Sequence, residues 1–424
     1  MSPIAVAESI TIGVTGQQCR ASVAPWGDIT AHLGPGDHPT LKWFVAADDR
    51  WHTPSEEVAV RQRRIDGTPV IETRLRIPDG DAVQRVWSVA DSGGLTVIEI
   101  ENDSPLPFAV AFAGLDVVSE RPPADIPIQG IDLPPGSVLM PVGHHATIRV
   151  AIPHLGSRVH PSQLSNLSSS LAVARGWLAV VHRASRLVLP DEALVDAVTA
   201  ARCDLLLDGP VEQDTDQVGF LFDVAELGRL GDDADAWMPE IVDPIAKIAR
   251  SRDPEVDVAL ESCERLALSA DDSRAASDIA RLRLRRARDE RRGTDTEARR
   301  ISFSDVRQGA SVGRFVSGVE RQICDKGELL PSGIPSRWLG DNFEVHGIPT
   351  GPRSSVSFAV RWHGERPAAL WEQQGDVRRL SAPSIDSEWS TDDRSGEVLW
   401  AAPPTPTKLG LIADNSNSDS TSFG

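Results

Sequence analysis

LTVIEIENDSPLPFAVAFAG, residues 95–114, decides how this chain is read. In LTVIEIEND (95–103) apolar and polar residues alternate, the period of two that turns one face of a strand to a core and the other to water. SPLP then supplies turn residues, and FAVAFAG begins a second strand-like run. Upstream, VIETRLRIP (70–78) alternates in the same way and VQRVWSVA (83–90) follows, with Pro78-Asp79-Gly80 and Ser92-Gly93-Gly94 suited to hairpin connections. Downstream, LPPGSVLMPVGHHATIRVAIP (133–153) reads as two further strands. Strands of this type each bury one face, so two sheets must pack together, and the pattern predicts an N-terminal antiparallel β-sandwich.

The predicted sandwich covers residues 1–189. Within it Ser157 to Ser170 reads as polar loop, and GWLAVVHRASRLVLP (176–190) as a last strand ended by Pro190. Helical periodicity starts at once. Asp191 and Glu192 favour a first turn, and Leu194, Val198, Ala201 and Leu205 recur on one face. Three more helical segments follow at about 216–230, 234–250 and 255–269, and Pro244 is expected to kink or split the second of them. The arginine-rich segment 274–292 makes a fifth helix, so 190–300 is expected to form a helical, partial α/α domain. Beyond Arg300 the helix signal fades into a Gly/Ser-rich stretch through Phe315 and Val319. SSVSFAVRWHG (354–364), PAALWEQQG (367–375) and GEVLWAAP (396–403) then predict a small C-terminal β-rich module over 301–410, before a low-complexity tail, 411–424, expected to be disordered. The expected fold class is α+β multidomain.

Composition narrows the function. A chain of 424 residues can bury a core without staples, and Cys19, Cys203, Cys263 and Cys324 show no CxxC spacing, so they read as reduced, buried thiols. A net charge of −19 argues against nucleic acid as a partner. No secretory signal and no run of eighteen apolar residues is visible, which predicts a soluble, cytoplasmic protein that does not span a membrane. In that setting the sequons at Asn102 and Asn166 carry no glycan. Tyrosine is absent and tryptophan appears eleven times, so no tyrosine serves as acid, base or nucleophile. No Walker A, GxGxxG, GxSxG or HExxH pattern occurs, and no cofactor is expected. Metal is not expected either: His144 and His145, adjacent on a strand, should face opposite ways, and His32/His38 lack further ligands. The arginines of RLRLRRARDERR (281–292) have two readings, a solvated helix paired with Asp278, Asp289 and Glu290, or a basic stripe that meets an acidic partner.

LTVIEIENDSPLPFAVAF (95–112), with its strand ending in an Asn-Ser turn, resembles the N-terminal β-sandwich of the six-hairpin (α/α-toroid) glycosidases and phosphorylases. PDEALVDAVTAARCDLLLDG (190–209) is similar to the way those proteins lead into their helical domain. The resemblance covers residues 10–260 in order of elements and implies carbohydrate chemistry. It departs from the family in length: a toroid of twelve helices needs roughly 200 residues, whereas about 110 read as helical here. The chain is then either a half-toroid completed by a second copy, a homo-oligomer through the helical domain, or a reduced relative without a catalytic cavity.

Glycoside hydrolysis needs paired carboxylates. Glu212, Asp214 and Asp216 in GPVEQDTDQVG (209–219) are candidates, although acidic residues before a helix commonly cap it. A second set is Trp338, Asp341, Glu344 and His346 in RWLGDNFEVHG with Arg361, Trp362 and His363 in RWHG. Tryptophan faces stack on sugar rings while carboxylate and arginine groups bond hydroxyls; equally, such a loop can be packed by its own tryptophan with a salt-bridged rim. Two functions follow as expectations: a carbohydrate-associated protein of glycosidase-like ancestry, binding or reduced in catalysis, or a non-enzymatic scaffold that uses its helical face as the contact.

Overall fold

The computed structural model describes residues 9–34, 36, 38–125, 128–154, 159–251, 253–290 and 302–403, and side chains of 289 and 290 are not included. The tail 411–424 lies outside the described residues. The chain is mixed α+β: the described residues form four sheets with helices in between, and none of these sheets closes into a barrel.

The first two sheets come from residues 10–153. One runs Ile10–Gly13, Arg20–Val23, Ile29–His32, Thr40–Ala46, Phe108–Ala113, Val138–Val142; the other runs Val118–Ser119, Thr147–Pro153, Leu95–Asp103, Gly80–Val89, Ile71–Ile77, Val60–Arg64. They share one core: Ile12, Leu41, Trp43, Val110 and Phe112 of the first meet Ile71, Leu75, Val86, Ile98 and Val150 of the second. The hairpin Ile71–Ile77/Gly80–Val89 turns through Pro78-Asp79, with Asp79 at φ 58°. Gly80 is required by close approach, since a Cβ there would lie 2.1 Å from the Asp103 carbonyl oxygen. At the Asn-Ser turn, Asn102 is wholly buried, donating to the carbonyls of Leu106, Val142 and Gly143 while its own oxygen accepts from Ser104.

Alternation holds in the second half of Leu95–Asp103 and fails in the first half, where successive residues are all buried. The cause is a second layer. Val70, Trp87, Val89, Leu95 and Val97 pack against Leu164, Leu167 and Ala174, so that part of the sheet is covered on both faces. Ala174 belongs to α1 (Ser170–Val181), capped by Ser169. This corrects the strand expected over 176–190: only Arg186–Val188 is extended, and it pairs with Phe343–Gly351 in the C-terminal sheet. In α1, Ala174, Trp177 and Val181 are buried at helical spacing.

The remaining helices are α2 (Glu192–Asp208), α3 (Gln217–Leu230), α4 (Ala234–Trp237), α5 (Val242–Ile248), α6 (Val256–Ser269), α7 (Ser273–Glu290), α8 (Phe303–Arg307) and α9 (Val312–Ile323). The segment 234–250 is split as expected, and Pro244 falls in the first turn of α5, where its missing N–H costs nothing. On α7, Arg281 pairs with Asp278, while Arg283 reaches across to Asp257, Glu261 and Glu264 of α6. The α6 carboxylates are the partners that the sequence reading missed. The expected pairs with Asp289 and Glu290 lie outside the described side chains.

Helices α8 and α9 correct the expectation that helix ends at Arg300. Helix α9 buries Val312, Phe315, Val316, Val319, Glu320 and Ile323 on one stripe. A five-stranded sheet (Arg186–Val188, Phe343–Gly351, Ser354–His363, Arg366–Gly375, Ser395–Leu399) and a four-stranded one (Cys324–Asp325, Glu328–Leu329, Leu380–Ala382, Asp386–Thr391) complete the chain. One core joins Trp177, Val198, Leu205, Phe315 and Val319 of the helices to Val345, Phe358 and Trp371 of the strands and to Trp400, just after the last strand. The described residues 302–403 therefore share their core with the helices.

Candidate functional site

Helix α2 has apolar contacts on more than one side, and the face left over forms the wall of a cleft. Buried residues run almost without a break from Val198 to Leu207, so the carboxylates that interrupt them are not a plain solvent face. The cleft, about 1030 Å³, lies between α2, the strands Ile10–Gly13 and Val60–Arg64, the loop into α3, and α8 with the start of α9. Asp196, Asp204 and Asp208 of α2 line it, as do Arg63, Arg64 and Arg307.

Asp204 accepts from Arg64 Nη2 on both oxygens, at 2.7 and 3.0 Å. Burial raises its carboxyl above the ordinary aspartate range in spite of the Arg64 charge. Asp208, one turn on and open to the cleft, is raised by burial first and then by the Asp204 charge. Asp196 is raised by burial, with Asp66 and Glu192 adding repulsion. Spacing of i,i+4 sets the Cβ atoms of Asp204 and Asp208 about 5–6 Å apart.

The α3 end of the cleft rests on Asp223, which is 1% exposed. Its carboxylate accepts from the backbone N–H of Val211 at 3.0 Å, that of Gly313 at 2.6 Å and the Ser311 hydroxyl at 2.8 Å. Burial pushes it up to about 6 although these bonds oppose the rise. This one side chain ties the α2–α3 loop, α3 and α9 together.

Of the predicted carboxylates, Glu212 and Asp216 line the cleft. Asp216 also caps α3 by accepting from Gly219 N–H at 2.8 Å, and stands 3.4 Å from Arg314. Asp214 points to solvent, its side chain 98% exposed, with Lys247 at 3.9 Å. The C-terminal set lies elsewhere and lines no part of this cleft. Trp338 is buried against Phe343, with ring centroids 5.3 Å apart, so its face is not open to a sugar ring. Glu344 bonds Arg361 at 2.7 Å and His346 at 3.4 Å, and these partners hold its carboxyl below the usual range. Trp362 donates its indole N–H to the Asp341 carbonyl, and His363 is exposed beside it at the strand end. These residues form a surface rim on the hairpin Phe343–Gly351/Ser354–His363.

The histidine geometry differs from expectation. His144 and His145 occupy the turn between Val138–Val142 and Thr147–Pro153, with His145 at φ 50°, and their rings lie tilted at 42° with centroids 3.8 Å apart. His32 and His38 also meet, centroids 4.9 Å apart. Among the described residues no three His, Cys, Asp or Glu side chains converge to hold a metal ion. No helix there is long and apolar enough to cross a membrane. The carboxylates of α2 were missed in the sequence because their spacing reads as the polar face of an ordinary helix; the signal was Asp204 and Asp208 set inside a run that is otherwise apolar.

No protein-family model matches the chain, and no curated protein is similar enough to count as a relative.

Proposed function

We propose that the chain is a carbohydrate-associated protein of glycosidase-like ancestry that takes a polyhydroxylated ligand in the α2 cleft. The observation that carries this reading is a cleft of about 1030 Å³ walled by a helical row of carboxyls, two of them one turn apart and both raised by burial, Asp208 also by the Asp204 charge. Carboxyl groups bond sugar hydroxyls, and a pair with different environments is what glycoside hydrolysis uses. Asp208, open to the cleft and raised by burial and by the Asp204 charge, is the candidate acid, and Asp204, bonded by Arg64, is its candidate partner. Glu212 and Asp216 at the rim are placed for hydroxyl contacts.

The two facing sheets, read as a β-sandwich, and the helices that follow them in the chain support the resemblance to six-hairpin glycosidases. The shortfall in helices among the described residues supports binding or reduced catalysis over full turnover. A glycan array together with a panel of nitrophenyl glycosides tests the reading. Binding or slow hydrolysis of at least one class, lost in Asp208→Asn, is expected; no binding and no turnover across both panels removes the reading.

A further inference from the structure

Three helices end together around a groove that shares no lining residue with the α2 cleft, and each brings an arginine. Arg183 follows α1, Arg229 sits in the last turn of α3, and Arg265 lies in α6 one turn before its end. The hairpin turn between Phe343–Gly351 and Ser354–His363 adds Arg353. All four line one groove of about 360 Å³, together with Ser269, Ser355 and Gln374, and among the described residues no Asp or Glu lines it. In a chain of net charge −19 that local excess of positive charge is unusual.

The four guanidinium groups are not equally engaged. Arg229 is saturated by Glu226, Glu320 and the Ala184 carbonyl. Arg183 and Arg353 are exposed and make no side-chain bond among the described residues. Arg183 lies over Gly231, where a Cβ would stand 2.8 Å from its Nη1. The side chain of Arg265 is 22% exposed and reaches only the Gly351 carbonyl at 3.5 Å and Glu261 at 3.9 Å. Glu261 is itself claimed by Arg283, and Arg265 Nε is buried without an acceptor. Burial and the Arg229 charge pull Arg265 down to about 10, although the charges of Glu261, Glu320 and Glu226 oppose the fall.

Cations near helix C-termini offset the helix dipole, which accounts for where these arginines sit. It does not account for donors left unpaired on three of them. Guanidinium forks match the oxygens of a phosphate, and a groove of this size is at the small end of small-molecule sites. We propose that this groove is an anion site for a small phosphorylated molecule, held by Arg183, Arg265 and Arg353 with Ser355 and Gln374 beside them. The site is separate from the α2 cleft and stands whether or not that cleft binds sugar.

The test is isothermal titration of the full chain with inorganic pyrophosphate at fixed ionic strength, with sodium chloride as the control. Arg183→Gln/Arg353→Gln alters two exposed side chains, so folding is retained, and circular dichroism checks this. Saturable binding by the parent chain, weakened at least tenfold in the double variant and unchanged in Asp208→Asn, is expected. Absence of saturable binding, or equal binding by the double variant, overturns the proposal. So does a double variant that only loses thermal stability, with the same response to pyrophosphate as the parent; the arginines would then serve the helix ends alone.

Discussion

Glu320→Gln is the substitution for which the structure gives the clearest magnitude. Glu320, on α9, is 4% exposed and accepts from Ser185 Oγ at 2.6 Å, Arg202 Nη2 at 3.1 Å and both terminal nitrogens of Arg229, at 2.7 and 3.0 Å. Glu226 completes the group, accepting from Arg202 Nε at 2.7 Å and Arg229 Nη1 at 2.6 Å. Two guanidinium groups thus face two carboxylates in the interior. Burial alone would raise the Glu320 carboxyl, but the charges of Arg229 and Arg202 outweigh it and the net direction is down. Glutamine keeps the volume and removes one charge, leaving an uncompensated buried guanidinium beside Arg265, which Arg229 already disfavours.

Breaking a buried ion pair from one side costs about 3–5 kcal/mol. With a urea dependence of about 3 kcal/mol/M, the unfolding midpoint should fall by roughly 1–1.7 M. Trp177, Trp338, Trp371 and Trp400 lie in the core that contains α9, so tryptophan fluorescence reports the transition. Charge balance makes a second outcome specific: Arg229→Met/Glu320→Leu removes one charge of each sign and should cost less than Glu320→Gln alone. A midpoint change below about 0.3 M for Glu320→Gln, or a double variant worse than the single one, would refute the reasoning.

Asp223, pushed up to about 6 by burial, contributes stability that is complete below the ordinary aspartate range and is lost as pH rises toward 6. The span is worth roughly 3 kcal/mol at about 1.4 kcal/mol per pH unit, so the parent chain's stability should fall more steeply between pH 4 and 6 than that of Asp223→Asn; parallel denaturation curves across that range would contradict it. Two glycines of α9 should respond in opposite directions to alanine. Gly313→Ala puts a Cβ 2.2 Å from the Phe222 carbonyl oxygen and should cost about 1–3 kcal/mol, whereas Gly318→Ala meets nothing within 4 Å and should gain about 0.5–1 kcal/mol, both read by thermal melting. Burial pushes the thiols of Cys19 to about 11 and of Cys263 and Cys324 to about 12, and raises Cys203 as well. A disulfide reagent at pH 8 should therefore label the folded chain negligibly and four thiols after unfolding.

Much of the architecture was legible because the period of the apolar pattern survives in the chain. The alternation of VIETRLRIP and the 3.6-residue recurrence from Leu194 to Leu205 became strand and helix where expected. Two helices were misread for physical reasons. In α1 the apolar run LAVV, ending in two β-branched valines, hid the spacing of Ala174, Trp177 and Val181, and the covering of the sheet by that helix erased part of the alternation in Leu95–Asp103. In α9 Gly313 and Gly318 suggested loop, although Gly313 is there because α9 crosses the backbone of α3 too closely for a side chain. The cleft depended on tertiary structure. Glu212 and Asp216 were visible as acidic residues before a helix, but the carboxyls of α2 gain their character from Arg64, which lies 140 residues earlier and is brought in by the sheet edge.

The cleft and the C-terminal rim are rival places for a ligand, and one comparison separates them. For the best glycan or glycoside found, affinity and any turnover are measured in Asp208→Asn and in Trp362→Ala. A ligand seated in the α2 cleft predicts a loss of at least a hundredfold in Asp208→Asn and values near those of the parent in Trp362→Ala. The opposite pattern, with Trp362→Ala impaired and Asp208→Asn unaffected, would contradict it.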